Sequence, residues 1–209
     1  MKVVVFDMDG TLLDSKKDIT ISINYVREVN YKLPPLSENF VVEAINAEIR
    51  NLPELFYETL SYENRDKDLF EAHYEKQCVQ NIYLYDGIYE LLQELRTCGI
   101  KLSVATNAPT KFAKTMLKHL KVESVFDVII GADKVRNSKP DPQMLFEILN
   151  YYGFDKQNHT AWMVGDNSKD MLSAQSAGIS SLFATWGFSP HGEHDTLVHS
   201  PKEILDIVL

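Results

Sequence analysis

Cysteine is nearly absent: 209 residues contain only Cys78 and Cys98. Two thiols so placed exclude a disulfide scaffold, a cysteine-ligated zinc site and a Cys-x-x-Cys redox centre. Both fall in helical patterns and are read as reduced thiols, buried or half-buried. Long apolar runs are missing too. None reaches the ~18–20 residues that a membrane-crossing helix needs. The N-terminal apolar stretch has only strand length and ends in Asp7, unlike a secretory leader. Positive charge is in short supply, with 21 Lys and Arg against 30 Asp and Glu for a net charge of −9. That balance argues against a nucleic-acid partner and against an anionic membrane surface. There is no internal repeat and no low-complexity tract. These absences leave a cytoplasmic globular protein as the expectation.

The composition present is that of such a protein, 44% hydrophobic and 24% charged. The length suits one domain, or a core with an insertion. The organising stretch is Val3-Val4-Val5-Phe6-Asp7-Met8-Asp9-Gly10-Thr11-Leu12. Four apolar residues, three of them valine, read as a buried parallel strand. It ends in two carboxylates at i and i+2, which the strand period turns to one side. Gly10 lets the chain turn sharply and brings backbone N–H groups close to whatever binds there. Two acids at the mouth of a buried strand repel each other unless a divalent cation lies between them or one keeps its proton.

From residue 16 to about 80 there is no strong strand. Helical patterns cover about 18–30, 37–50, 53–60 and 65–79, with Ser37 as an N-cap and Pro34-Pro35 between the first two. The aromatic residues of this block, Tyr25, Tyr31, Phe40, Phe56, Tyr57, Phe70 and Tyr74, are expected in its core. After Tyr85-Asp86-Gly87 strands and helices alternate. Helices are expected at 88–98, 110–119, 142–151, 168–177 and 201–208, and strands at 101–105, 125–130, 161–164 and 179–184. Such alternation implies an α/β fold, a parallel sheet covered by helices on both faces, with ligands bound beyond the carboxyl ends of its strands. Asp7, Thr106-Asn107, the Lys139 loop and Asp166 each follow a different strand, and so converge on one sheet edge.

Four motifs stand in order: Asp7-x-Asp9-Gly10-Thr11, Thr106-Asn107, Lys139-Pro140, and Gly165-Asp166-x-x-x-Asp170. Together they resemble the haloacid dehalogenase superfamily, most of whose members are phosphatases. The resemblance implies a Rossmann-like core of residues 1–15 and 81–209 with a helical cap at 16–80, similar to the cap of phosphoglycolate-phosphatase-like members. It implies hydrolysis of a small phosphorylated metabolite, with Asp7 as nucleophile through an aspartyl-phosphate and Asp9 as general acid and base. Gly10, Thr106, Asn107 and Lys139 then face the phosphoryl group. Mg²⁺ is implied on the Asp7 side chain, the Asp9 backbone carbonyl and Asp166, with Asp170 beside them or capping its helix. A phosphomutase of the beta-phosphoglucomutase type shares the same core. A non-catalytic binder of a phosphorylated ligand is a different class, and it would have lost Asp7, Asp9 or Lys139. Asn46 and Arg50 are the candidate cap residues for facing the site, Arg50 toward a second anionic group, with a solvated helix end the favoured reading of Arg50. His191, His194 and His199 read as a solvated tail rather than a metal site. The oligomeric state is not legible.

Overall fold

The computed structural model describes residues 1–47, 51–189 and 196–209, so Arg50, His191 and His194 lie outside the described residues. In chain order the elements are β1 (Lys2–Phe6), β2 (Leu13–Asp14), α1 (Lys16–Val26), α2 (Glu38–Asn46), α3 (Leu52–Tyr57), α4 (Asn64–Gln77), β3 (Tyr83–Leu84), α5 (Ile88–Thr97), β4 (Lys101–Thr106), α6 (Thr110–His119), β5 (Val128–Gly131), α7 (Gln143–Tyr151), β6 (Thr160–Gly165), α8 (Ser168–Ala177), β7 (Ser180–Ala184), β8 (Leu197–Val198) and α9 (Pro201–Val208). The chain divides into two compact units, Met1–Asp14 with Leu84–Leu209, and Ser15–Tyr83. Among the described residues no helix is long and apolar enough to cross a membrane.

The first unit is α/β. Its sheet runs β5-β4-β1-β6-β7-β8, and every pairing is parallel. β1 lies inside the sheet, with Val3, Val4, Val5 and Phe6 fully buried, which explains an unbroken apolar run without alternation. Val3 and Val5 pack with Met144, Leu145, Ile148 and Leu149 of α7 and Ala174 of α8. The strand period sends Val4 and Phe6 to the opposite face, where Phe6 meets Phe126 edge-on at 6.5 Å. α5, whose Leu91, Leu92 and Leu95 are buried, packs against β4 and α9. The chain moves outward from β1 to β4 and β5, then crosses back to β6 on the other side of β1. The direction reverses between β1 and β6, the place where open α/β sheets bind ligands.

The second unit is helical. Ile23 and Val26 of α1, Val41 and Ala44 of α2, and Phe56 and Tyr57 of α3 form its core. Buried polar groups tie its segments together. Asp18 accepts from Gln77 Nε2 at 2.8 Å, Asn81 Nδ2 at 2.6 Å and Asn81 N at 2.9 Å. The buried Arg27 guanidinium donates to the Pro34 carbonyl at 2.8 Å and to the Phe56 carbonyl, closing the carboxyl end of α3.

Several local expectations change. Ser37 caps α2 through Phe40 N at 3.2 Å, but that helix stops at Asn46. The first helix passes at Arg27 into a π turn ending at Tyr31, and Lys32 then adopts φ +56°. Residues 123–125 form a 3-10 turn, so β5 begins only at Val128. Tyr25 and Phe40 are exposed rather than core, Tyr25 stacking on His73 at 4.2 Å. Cys78 is buried as expected, whereas Cys98, at the end of α5, is exposed.

Candidate active site

β1 carries Asp7 directly beyond its last residue, and Asp7 N donates to Val164 O of β6 at 2.8 Å. That bond continues the register Phe6↔Val164, so Asp7 stands beside the end of the strand that leads to Asp166. Lys139 reaches the same spot from the loop after β5. Its ammonium donates to Asp7 Oδ1 at 2.7 Å and to Asp170 Oδ1 at 2.6 Å. Asp7, Asp166 and Asp170 offer oxygens that all lie within 4.8 Å of one another, among the described residues the only such group of three metal-capable side chains. All three carboxylates and the lysine are buried.

The electrostatics follow from that crowding. Burial, then the like charges of Asp7 and Asp170, push Asp166 well above the usual carboxylate range, against the pull of Phe188 N and Thr11. Burial likewise pushes Asp170 up to about 6, with Asp7 adding to the rise and Lys139 opposing it. Burial disfavours the Lys139 ammonium, but Asp170 and Asp7 outweigh it and hold its pKa above the ordinary lysine value. Three buried carboxyl groups face one ammonium, so negative charge is left without a partner whenever more than one of them is ionised. A hard divalent cation with carboxylate preference matches both the donor set and the charge deficit.

The surrounding residues hold these acids in place. Thr11 Oγ1 donates to Asp166 Oδ1 at 3.0 Å, and Phe188 N donates to Oδ2 at 2.6 Å. Asp170 Oδ2 accepts from Asn167 N at 3.2 Å while Asn167 Oδ1 accepts from Lys169 N at 3.1 Å, a reciprocal cap on α8. Asp170 therefore serves the helix terminus and the lysine together. Asn107 spends both ends of its amide on the Lys139 backbone, at 3.0 Å to the carbonyl and 3.0 Å from the N–H. It positions the lysine and keeps one amide hydrogen for other use. Thr106 Oγ1 accepts from Ala108 N at 3.1 Å, so its own hydrogen is still available to donate. Asp9 is half-buried, two residues past Asp7, and bridges to Leu13. Gly10 corrects an expectation. In place of the bare N–H expected of it, its N–H donates to Leu13 O at 2.9 Å. What it contributes is space, since at φ +88° an added Cβ would stand 2.3 Å from Asp166 Oδ2. Asn46 sits at the end of α2 in the helical unit. His199 bonds Thr185 Oγ1 at 3.0 Å and belongs to no metal-capable group among the described residues.

Thr11, of the first motif, and the pair Trp186-Gly187 also build the site, though their motif context gave none of them a role. Trp186 Nε1 donates to Thr11 O at 3.1 Å. A Cβ on Gly187 would lie 2.3 Å from both Asp166 Cβ and the Gly10 carbonyl oxygen. Neither atom belongs to a flexible side-chain end, so Gly187→Ala must push β7's exit away from Asp166. The expected cost is about 1–3 kcal/mol, read as a lower urea midpoint at an unchanged slope.

A parallel sheet with a buried acid–lysine cluster at the point of strand-order reversal defines an α/β protein equipped to hold an anionic group beside a cation. The haloacid dehalogenase-like hydrolase model matches residues 4–184, and the chain belongs to that family, in its phosphoglycolate-phosphatase-like group. Over 218 residues it is 29% identical to N-acetylmuramic acid 6-phosphate phosphatase of Pseudomonas aeruginosa, covering 100% of this chain and 95% of that protein. It is 32% identical over 206 residues to phosphoglycolate phosphatase of Vibrio cholerae, covering 92% and 88%. The crystal structure of a predicted phosphoglycolate phosphatase from Haemophilus somnus superposes with a TM-score of 0.86 at 25% identity, covering 100% of this chain and 98% of that one. By class the chain is a phosphoric monoester hydrolase.

Proposed function

We propose that the chain is a Mg²⁺-dependent phosphatase that hydrolyses a small phosphomonoester through an aspartyl-phosphate on Asp7. The observation that carries this reading is the buried cluster of three carboxylates and one lysine, with the Lys139 ammonium 2.7 Å from Asp7 Oδ1. Asp7 attacks phosphorus, and the ester P–O bond breaks as the Asp7 O–P bond forms. Asp9 gives its proton to the leaving alkoxide. It then takes a proton from the water that attacks the aspartyl-phosphate, which restores the Asp7 carboxylate and releases inorganic phosphate. Lys139, the Thr106 hydroxyl and the remaining Asn107 amide hydrogen bind phosphoryl oxygens, and positioning with charge stabilisation does most of the work. Mg²⁺ on Asp7, Asp166 and the Asp9 carbonyl, with Asp170 beside it, would supply the positive charge that the phosphoryl oxygens and the acids share. The printed activities of the two curated relatives support the phosphomonoester class. The net charge of −9 supports a small-molecule substrate over a nucleic acid.

The test is phosphate release from p-nitrophenyl phosphate and a panel of small phosphomonoesters, with Mg²⁺ and with a chelator. Turnover that needs the metal supports the reading. Equal turnover under chelation, or none with any ester, overturns it.

A further inference from the structure

Lys139 stands on a loop that packing alone does not place. Its ammonium meets Asp7 and Asp170 at 2.7 and 2.6 Å, yet Asp133, Lys134, Arg136, Asn137, Ser138 and Pro140 around it in the chain are all exposed. A lysine stem is long and freely rotating, so the main chain under it has to be fixed by other means.

The fastening is to the loop after β4. Thr106 and Gly131 form the last register pair of β4 and β5, and Ala132 N then donates to Ala108 O at 3.1 Å. The two loops approach so closely that a Cβ on Gly131 would stand 2.4 Å from Ala108 O and 2.4 Å from Thr110 N, both main-chain atoms. Asp133 follows. Its Oδ1 accepts from Thr110 N at 2.6 Å and from Thr110 Oγ1 at 2.7 Å, while Thr110 Oγ1 accepts from Gly131 N at 3.0 Å. The chain then runs outward, with Arg136 N and Asn137 N both donating to Gln143 Oε1 at 3.1 Å. It returns at Lys139, whose backbone Asn107 holds through both ends of its amide. Both ends of the loop are thus tied to the segment 107–110.

α6 begins at Thr110, and its N-cap position is Pro109, which has no side chain that could accept from the first turn. Asp133 supplies that acceptor from the exit of the neighbouring strand. Burial would raise its carboxyl, but the bonds from Thr110 outweigh it and hold it below the usual range. The carboxylate stays ionised, at the positive end of the α6 dipole. It is not among the acids that meet at Lys139.

We propose that Asp133, acting through Thr110, is a positioning residue for Lys139: it sets where the loop leaves the sheet, as Asn107 sets where it returns, and so holds the ammonium at the phosphoryl position. The inference rests on the proposed function for what Lys139 does there.

The test reads the lysine loop directly. Amide hydrogen exchange, resolved by NMR on the full chain, follows Lys139 N, then Phe112 N and Ala113 N in the first turn of α6, and Ile179 N, which donates to Ala174 O at 3.1 Å at the exit of α8. Asp133→Ala should speed exchange at Lys139 about tenfold and leave Ile179 unchanged. Its turnover of p-nitrophenyl phosphate should fall about 10- to 100-fold, the scale of displacing a reacting group by about 1 Å. Asp133→Asn keeps an oxygen that accepts both Thr110 bonds, and should bring both readings back to within about threefold of wild type. Thr110→Val keeps the Thr110 N–H but leaves Gly131 N without its acceptor. It should act in the same direction, and it serves if Asp133→Ala fails to fold. A cap that only steadies α6 would speed exchange at Phe112 and Ala113 and leave Lys139 as it was, which overturns the proposal. So does equal acceleration at Ile179, or full turnover in a folded Asp133→Ala whose Lys139 amide has loosened. Exchange needs no turnover. A chain that hydrolyses no ester therefore fails the phosphatase reading, while exchange at Lys139 still decides whether Asp133 places the lysine.

Discussion

Asp7→Asn is expected to lower kcat on p-nitrophenyl phosphate by about 10⁴-fold or more, the scale of losing a covalent nucleophile. The same change is expected to leave the metal-free chain at least as heat-stable as the wild type. The two halves have one cause. Asparagine is close to isosteric with aspartate and keeps an Oδ1 that accepts from Lys139, now 2.7 Å away. It loses the negative charge that attacks phosphorus. It also loses the charge that, with burial, pushes Asp166 above the normal carboxylate range and adds to the rise at Asp170. Lys139 still has Asp170 at 2.6 Å. Removing one of three mutually repelling buried acids therefore relieves repulsion that Lys139 offsets only in part. Activity and melting temperature, both read on the same preparation with the melt run in chelator, make the check. Retained turnover sinks Asp7 as nucleophile. Lost turnover with a sharply lower melt would mean that the residue is mainly structural.

How much of this was readable from the sequence depends on whether the signal is local. β1 was legible because a fully buried parallel strand must be apolar throughout, and its end because Asp7 breaks that run. α6, α8 and α9 fall on their expected residues because Pro109, Asn167 with Gly178, and Pro201 mark their limits in the chain itself. The pairs β2, β3 and β8 have two residues each, too few to show a period. The π turn after Val26 answers to Arg27, whose carbonyl partners are at Pro34 and Phe56, seven and 29 residues on. The same holds in the site. Asp7, Asp166 and Lys139, which the structure brings together, were legible because each stands in a short motif after a strand. The pair of hydrogen bonds between the Asn107 amide and the Lys139 backbone spans 32 residues. The fit of Gly187 against Asp166 depends on a close approach of two chain segments, and Gly187 has no positive φ to betray it.

Lys139→Met is expected to cost about 3–5 kcal/mol of stability at pH 8 without metal, the scale of stranding buried charges by removing their partner. It should also abolish turnover. Methionine fills much of the lysine's volume, so the loss is one of charge more than of packing. Three buried carboxylates then face one another with no ammonium among them. The pH dependence separates this cause from a packing defect. Asp170 in the wild type is held up to about 6, above its unfolded value. Its contribution to stability is therefore complete below the unfolded carboxylate pKa of about 4 and lost as pH rises through about 6. Asp166, also raised, follows the same sign. Removing Lys139, which opposes the rise at Asp170, shifts that loss to higher pH and makes the uncompensated cost at pH 8 larger. Lys139 itself is raised above its unfolded value, so its own deprotonation matters only in strong alkali, and between pH 4 and 8 the change comes from the acids around it. Toward pH 4 Asp166 and Asp170, both raised, hold their protons, and the buried ammonium loses the charge of Asp170 beside it. The penalty of Lys139→Met should accordingly be largest at pH 8, fall through pH 6, and vanish or change sign near pH 4. Urea unfolding of both proteins across that range in chelator gives the difference directly. A penalty that stays constant with pH would show that Lys139 acts through packing, and the charge account of the cluster would fail with it. Millimolar Mg²⁺ at pH 8 should return part of the lost stability, because a divalent cation meets the same deficit that the lysine leaves.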